Sequence, residues 1–130
     1  QGPGFEKVIS QYGNTDAGNL ANFYAGSIAL ENGENEKAVK YLEDFKTDAK
    51  QMQARAYKLL GDAYANLNKT KEALNSYKKA GREFEEDQLL SPEYLFLAAY
   101  YADRVLNDKK EAIELYKELR KKYAASQYGT

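Results

Sequence analysis

The chain has 130 residues, and its 19 basic and 20 acidic side chains give a net charge of −1. It contains no Cys, His or Trp, but 12 Tyr and 5 Phe. These counts exclude disulfides, thiolate nucleophiles and every catalytic triad or zinc centre that needs His or Cys. The balanced charge argues against a nucleic-acid partner, because neutralising phosphates requires a basic excess. No run of 18 apolar residues is present, so we expect no membrane span.

Apolar side chains recur every three or four residues along almost the whole chain, which is typical of amphipathic helices. No stretch alternates as a strand would. The pattern predicts seven helices, over residues 3–12, 16–32, 35–46, 50–67, 70–85, 92–106 and 109–124. The connections are short and polar, so neighbouring helices are expected to be antiparallel.

Turn residues mark the ends of these helices. Asn32-Gly33 closes the second helix, because Gly and Asn tolerate the left-handed backbone found after a helix C-terminus. Asn68 and Asn107 occupy the matching places in later turns. Ser91-Pro92 is predicted to start the sixth helix, because Ser caps free N–H groups and Pro fits the first helical position.

The helices form pairs with related sequences. An Ala near the start of the second helix marks each pair, with spacings of 35 and 39 residues: Ala38, Ala73 and Ala112. Four positions later each pair has a bulky side chain: Leu42, Tyr77 and Tyr116. Gly26 and Gly61 lie 12 residues before the first two Ala. Residues 123–129 also resemble residues 12–18, at an offset of 111.

These spacings predict one domain over residues 1–130, cut from a longer repeating chain. Residues 3–15 are predicted to be the second helix of a preceding repeat. Repeat 1 is expected over 16–48, repeat 2 over 49–88 and repeat 3 over 89–124. Residues 125–130 are expected to start a following repeat.

The pattern resembles the tetratricopeptide repeat (TPR), a helix–turn–helix unit of about 34 residues. The second pair carries the clearest match, Tyr57-x-x-Leu60-Gly61-x-x-Tyr64 followed by Ala73, Tyr77 and Ala80. The third pair departs at Tyr100, where the family has a small residue, and at Asp103, where it has Tyr. The resemblance implies an all-α fold, a right-handed α-solenoid of antiparallel helix pairs. The packing positions that it implies are Gly26, Ala38, Tyr57, Gly61, Tyr64, Ala73, Tyr77, Ala112 and Tyr116.

The resemblance also implies a protein or peptide partner, bound in a concave groove that the first helix of each pair lines. Carried over by position, the groove residues of the first pair are Phe23, Ser27, Leu30 and Glu31. Those of the second pair are Arg55, Lys58, Asp62 and Asn66. Those of the third pair are Tyr94, Leu97, Tyr101 and Arg104. The alternative interpretation of the many Tyr residues is packing between repeats.

The short motif between pairs, Tyr-x-x-Ser/Thr-x-x-Gly, resembles that of envelope-associated bacterial TPR proteins. This implies a non-enzymatic scaffold in the periplasm or cell envelope, tethered by a segment outside this sequence. A cytoplasmic location is the alternative. The alternative function is a structural self-assembly module, a homo-oligomer that pairs through the solenoid ends. We expect no catalytic residue, no cofactor and no metal ion.

Overall fold

A computed structural model describes residues 2–12 and 16–125, which form seven α-helices and contain no strand. The helices are α1 Gly2–Tyr12, α2 Asp16–Glu31, α3 Asn35–Asp44, α4 Lys50–Asn66, α5 Thr70–Glu83, α6 Leu90–Arg104 and α7 Lys109–Lys122. Each predicted bound lies within two residues of the observed one. The predicted start of a following repeat lies, apart from Ala125, outside the described residues.

The helices are stacked in chain order. Each helix packs on the next one along the chain, and α2 also contacts α4, the first helix of the following pair. The helix–turn–helix pairs are α2–α3, α4–α5 and α6–α7, and buried clusters extend from each pair into the next. This arrangement confirms the all-α prediction and is consistent with a TPR-like helical solenoid.

The turns within the pairs use a left-handed residue, as the sequence predicts. The backbone φ angles at these positions are 77° at Gly33, 60° at Asn68 and 54° at Asn107. Asn is among the few non-glycine residues that adopt this conformation at low cost, because its short amide can bond locally. The three turns therefore have the same local chemistry although only one of them contains glycine.

The start of α6 differs from the prediction. The Asp87 carboxylate accepts hydrogen bonds from the backbone N–H groups of Leu89 at 2.9 Å and Leu90 at 3.1 Å. The Ser91 hydroxyl instead donates to the Gly81 carbonyl oxygen of α5 at 2.6 Å. The prediction that Ser91 caps α6 is therefore wrong. Ser91 joins two helices, and α6 already begins at Leu90.

Ion pairs connect the second helices of successive pairs, α5 and α7. The Arg82 guanidinium donates to both carboxylate oxygens of Glu118, at 2.8 and 3.1 Å, and Lys122 reaches the same carboxylate at 2.9 Å. Burial raises the pKa of Glu118, but the hydrogen bonds from Arg82 and Lys122 outweigh it, so the pKa lies below its usual value. The charged form of Glu118 therefore stabilises the folded state.

A pH-dependent loss of stability follows for Glu118→Gln. Because the folded-state pKa is depressed, the contribution is present above the unfolded pKa and disappears as pH falls through the folded pKa. We expect the variant to be less stable than the parent near pH 7, and this difference to shrink at acid pH, as the pH falls through the depressed folded-state pKa of Glu118. Urea unfolding near pH 7 and at acid pH measures the difference. Glu114→Gln, an exposed change on the same helix, is the control and is expected to show no such pH dependence. An equal loss for Glu118→Gln at both pH values would contradict the prediction.

One buried side-chain oxygen in the first pair has no hydrogen-bond donor within the described part of the chain. Asn22 on α2 is 4% exposed, and its side-chain oxygen accepts no hydrogen bond among the described residues. The equivalent positions of the later pairs hold Tyr57 and Leu95. A buried acceptor without a donor costs about 1–3 kcal/mol.

Replacing Asn22 by Leu is therefore expected to stabilise the chain. The change removes the unpaired acceptor and adds apolar contact, so we expect the free energy of unfolding to rise by about 1–3 kcal/mol. Urea denaturation followed by circular dichroism checks this. A loss of stability would show that the Asn22 carboxamide is satisfied in solution.

Candidate functional site

The carried-over groove residues of the first pair are only partly accessible. Phe23 is 7% exposed and packs on the ring of Phe45, with the ring centroids 5.3 Å apart. The Ser27 hydroxyl donates to the Phe23 carbonyl oxygen one turn earlier, at 2.9 Å. Leu30 is half-buried and Glu31 is exposed. Of these four residues, the more accessible two therefore lie towards the C-terminal end of α2.

In the second pair, two of the predicted groove residues form an internal network. Lys58 and Asp62 are bridged at 2.8 Å, and Asp62 also accepts the hydroxyl proton of Tyr77 at 2.7 Å. Burial and the bond to Asp62 raise the pKa of Tyr77 far above its ordinary value. Asp62 thus holds the Tyr77 ring over Gly61. Arg55 and Asn66 are exposed.

The turn of the third pair is one residue longer than the other two. In the first two turns, a backbone hydrogen bond spans five residues, from Glu34 to Ala29 and from Lys69 to Tyr64. In the third, the N–H of Asp108 donates to the carbonyl oxygen of Ala102, six residues earlier. The extra residue explains the departure at residue 100, because the small residue then falls on Ala99; the consensus Tyr position falls on Ala102 and still departs from the family.

The one-residue shift determines which residues of α6 correspond to those of α2 and α4. Ala99, fully buried, takes the place of Gly26 and Gly61, and Ala102 takes the place of the consensus Tyr. The α6 residues that correspond to the groove positions of α2 and α4 are therefore Phe96, Tyr100 and Arg104. Leu97, half-buried, lies between these positions.

Two Tyr residues predicted to line the groove are instead packed against the preceding pair. Tyr94 is 6% exposed and lies in one cluster with Ala54 and Ala80. Tyr101 is 8% exposed, and its ring meets that of Tyr77 edge-on at 5.3 Å. Both side chains contribute to packing and offer little surface to a partner.

The exposed aromatic residue of α6 is Tyr100, which is 45% exposed. Its ring stacks on that of Phe96, with centroids 6.1 Å apart and an interplanar angle of 26°. The Arg104 guanidinium carbon lies 5.4 Å from the centroid of the Tyr100 ring. We call Phe96, Tyr100 and Arg104 the aromatic stack. These three residues are four positions apart in the sequence, which places them on one side of a helix. This pattern was missed at the level of sequence, because the third pair was aligned without the extra turn residue and Tyr101 was selected instead of Tyr100.

Two features, a metal-binding cluster and a membrane-spanning helix, were searched for among the described residues. No cluster of three or more acidic side chains in residues 2–12 and 16–125 could hold a metal ion. No helix in the same ranges is both long and apolar enough to cross a membrane.

Comparisons with known proteins point to one family. Searches of curated proteins and of solved structures gave no match. The family model of the tetratricopeptide repeat matches residues 93–126, which include most of α6 and all of α7. The match lies on the third pair, in which the longer turn shifts the helical register by one residue. Residues 93–126 are therefore similar to a tetratricopeptide repeat, and α6 and α7 lie in a stack of helix pairs that is consistent with a TPR-like solenoid.

Proposed function

We propose that this chain is a non-enzymatic scaffold that binds a segment of a partner protein along α2, α4 and α6. The observation that carries the proposal is the tetratricopeptide match on α6–α7, since this repeat is typical of protein-interaction domains. Stacked helix pairs present a preformed surface. A partner segment therefore binds without a large cost of ordering the scaffold.

The aromatic stack is the proposed anchor of this surface. Tyr and Arg are enriched among residues that dominate binding energies, because they combine large contact area with specific hydrogen bonds. The other predicted groove residues that keep accessible surface, besides Arg104, are Leu30, Glu31, Arg55, Asn66 and Leu97. Of the predicted groove residues, the buried Phe23, Tyr94 and Tyr101 are assigned to packing, and Ser27, Lys58 and Asp62 to internal bonds.

Site-specific crosslinking tests the groove. A photoreactive residue at position 100 is expected to capture a partner in the source cells, whereas one at Lys71, an exposed residue near the start of α5, is not. The captured segment is then measured against the parent, Tyr100→Ala, Arg104→Ala and Lys71→Ala. We expect each stack variant to weaken binding about tenfold or more, and Lys71→Ala to leave it unchanged. Equal affinities for all four proteins would exclude the aromatic stack as the anchor.

The finer predictions concern location and assembly. We infer a periplasmic or envelope location from the Tyr-x-x-Ser/Thr-x-x-Gly motif between pairs, which resembles that of envelope-associated bacterial TPR proteins. Fractionation of the source cells tests this location against a cytoplasmic one. Self-assembly through the solenoid ends is the alternative function, and light scattering over a concentration series tests it. The absence of catalysis, cofactors and nucleic-acid binding stays a prediction.

A further inference from the structure

A cavity of about 270 Å³ lies where α1, α2 and α3 meet. On α2 it is lined by Asn22, a position at which the later pairs have side chains that pack between helices. Tyr57 packs in one cluster with Ala54 and Tyr94, and Leu95 is fully buried. The first pair therefore has a polar side chain beside a cavity at a position that the other two pairs use for packing.

Asn22 brings an unpaired hydrogen-bonding group to this cavity. The side chain is 4% exposed, and its oxygen accepts no hydrogen bond from the described residues. Rotation about the Cβ–Cγ bond exchanges the oxygen and the nitrogen of a carboxamide, so Asn22 can turn its acceptor towards the cavity. Because natural chains keep such costs mainly at functional sites, the unpaired acceptor indicates a ligand that donates a hydrogen bond.

The charged side chains around the cavity carry a net negative charge. Glu6 on α1 and Asp44 on α3 contribute two carboxylates, and Lys40 on α3 contributes one ammonium group. The Tyr41 hydroxyl donates to one carboxylate oxygen of Glu6 at 3.2 Å. Burial and the charge of Glu6 raise the pKa of Tyr41, so the hydroxyl stays protonated and the Glu6 carboxylate stays at the cavity. A cationic ligand suits this charge.

We propose that the cavity binds a primary ammonium group on a short aliphatic stem. The described residues that line it are Glu6, Ile9, Asn22, Lys40, Tyr41 and Asp44. The ammonium group donates to Asn22, Glu6 and Asp44, and its stem packs against the half-buried Ile9 and Tyr41. None of the six residues belongs to the predicted groove, so binding here does not depend on the scaffold function.

The geometry favours an ammonium group over other occupants. Its three N–H donors point in different directions, as do acceptors that come from three helices, whereas the donors of a guanidinium lie in one plane. A water molecule occupies about 30 Å³ of the liquid, so the cavity is several times larger than one bridging water requires. No group of three acidic side chains in residues 2–12 and 16–125 could hold a metal ion.

The ammonium group can belong to a free amine or to a Lys side chain of a partner protein. n-Butylammonium chloride is the probe for the first source, and Nα-acetyl-lysine methylamide is the probe for the second. n-Butanol has the same stem without the charge and serves as the control. Binding of both ammonium probes would support a Lys side chain as the ligand, and binding of n-butylammonium alone would support a free amine.

NMR titration of the ¹⁵N-labelled chain at constant ionic strength measures this binding. We expect n-butylammonium to shift the backbone amide signals of α2 and α3 around the cavity in a saturable manner, and n-butanol to leave them unchanged. If neither ammonium probe shifted these signals, the cavity would hold water only and the proposal would be overturned. Equal shifts with n-butanol would overturn it as well.

Variants of the lining residues test the assigned contacts. Asn22→Leu is expected to weaken binding of n-butylammonium about tenfold or more. Since the same change is expected to stabilise the chain, the lost binding does not reflect unfolding. Asp44→Asn is expected to weaken binding about two- to fivefold, and Lys40→Gln to tighten it by a similar factor. Glu36→Gln, at an exposed carboxylate on the same helix outside the cavity, is the matched control. Unchanged affinity in Asn22→Leu, or weaker binding in Lys40→Gln, would overturn the proposal.

Discussion

Gly81→Ala is expected to destabilise the chain by about 2 kcal/mol or more. A Cβ atom at residue 81 would lie 2.9 Å from both the Cα and the backbone nitrogen of Leu95. These are backbone atoms of α6, so no side-chain rotation relieves the clash and the helix itself must move. Moving α6 also disturbs the bond between the Ser91 hydroxyl and the Gly81 carbonyl oxygen. The clash outweighs the helix propensity of Ala, which favours the variant by about 1 kcal/mol.

The local contacts around Ser91 increase this cost. The Tyr123 side chain is 2% exposed, and its hydroxyl lies 2.9 Å from the Ser91 Oγ and 2.8 Å from the Glu85 carbonyl oxygen. A shift of α6 therefore reaches the end of α7. The third pair is thus anchored on Gly81 both by close backbone approach and by buried hydrogen bonds.

Gly4→Ala is the control for Gly81→Ala. Gly4 lies in α1, and a Cβ atom at this residue would meet nothing within 4 Å, so Ala there gains helix propensity without a clash. We expect Gly4→Ala to be neutral or more stable by up to about 1 kcal/mol. Urea unfolding of both variants gives the comparison. Equal stability of Gly81→Ala and Gly4→Ala would contradict the close approach of α5 to α6.

The helices and turns were predictable because local chemistry determines them. The 3.6-residue periodicity requires only neighbouring residues, and Asn68 and Asn107 identify left-handed positions by their own side chains. The start of α6 was not predictable in the same way. The hydroxyl of Ser91 has a partner ten residues away on another helix, so the sequence around it misassigns its role.

In the first two pairs, the sequence predicted the helix positions of the candidate groove residues but not how accessible their side chains are. Asp62 occupies a groove position, yet its bonds to Lys58 and Tyr77 depend on how α4 and α5 pack. In the third pair, one extra residue in a turn moves the groove positions from Tyr101 to Tyr100. Gly81 was missed because its importance comes from the backbone of α6, which no pattern within α5 reveals.

Gly61→Ala is expected to cost about 1–3 kcal/mol through a clash with one ring. A Cβ atom there would lie 2.5 Å from Cε1 and 2.6 Å from Cδ1 of Tyr77. A free ring could rotate away, but the Tyr77 hydroxyl is held by Asp62 at 2.7 Å and its ring is enclosed by that of Tyr101. The strain therefore passes into the contact between the second and third pairs.

A double-mutant cycle with Tyr77→Ala isolates this contact. Without the ring, Ala at position 61 meets no obstacle, so we expect Gly61→Ala to become neutral or slightly stabilising in that background. Tyr77→Phe is the matched control, because it keeps the ring and removes only the bond to Asp62. In the Phe background Gly61→Ala is expected to remain costly, but less so than in the parent, because the ring stays against Tyr101 while the bond to Asp62 is lost. Urea unfolding of all variants, with the same concentration of sucrose to keep the weakest one folded, measures the coupling. If the cost persisted in the Tyr77→Ala background, the small residue at position 61 would be required by the backbone rather than by the ring that packs over it.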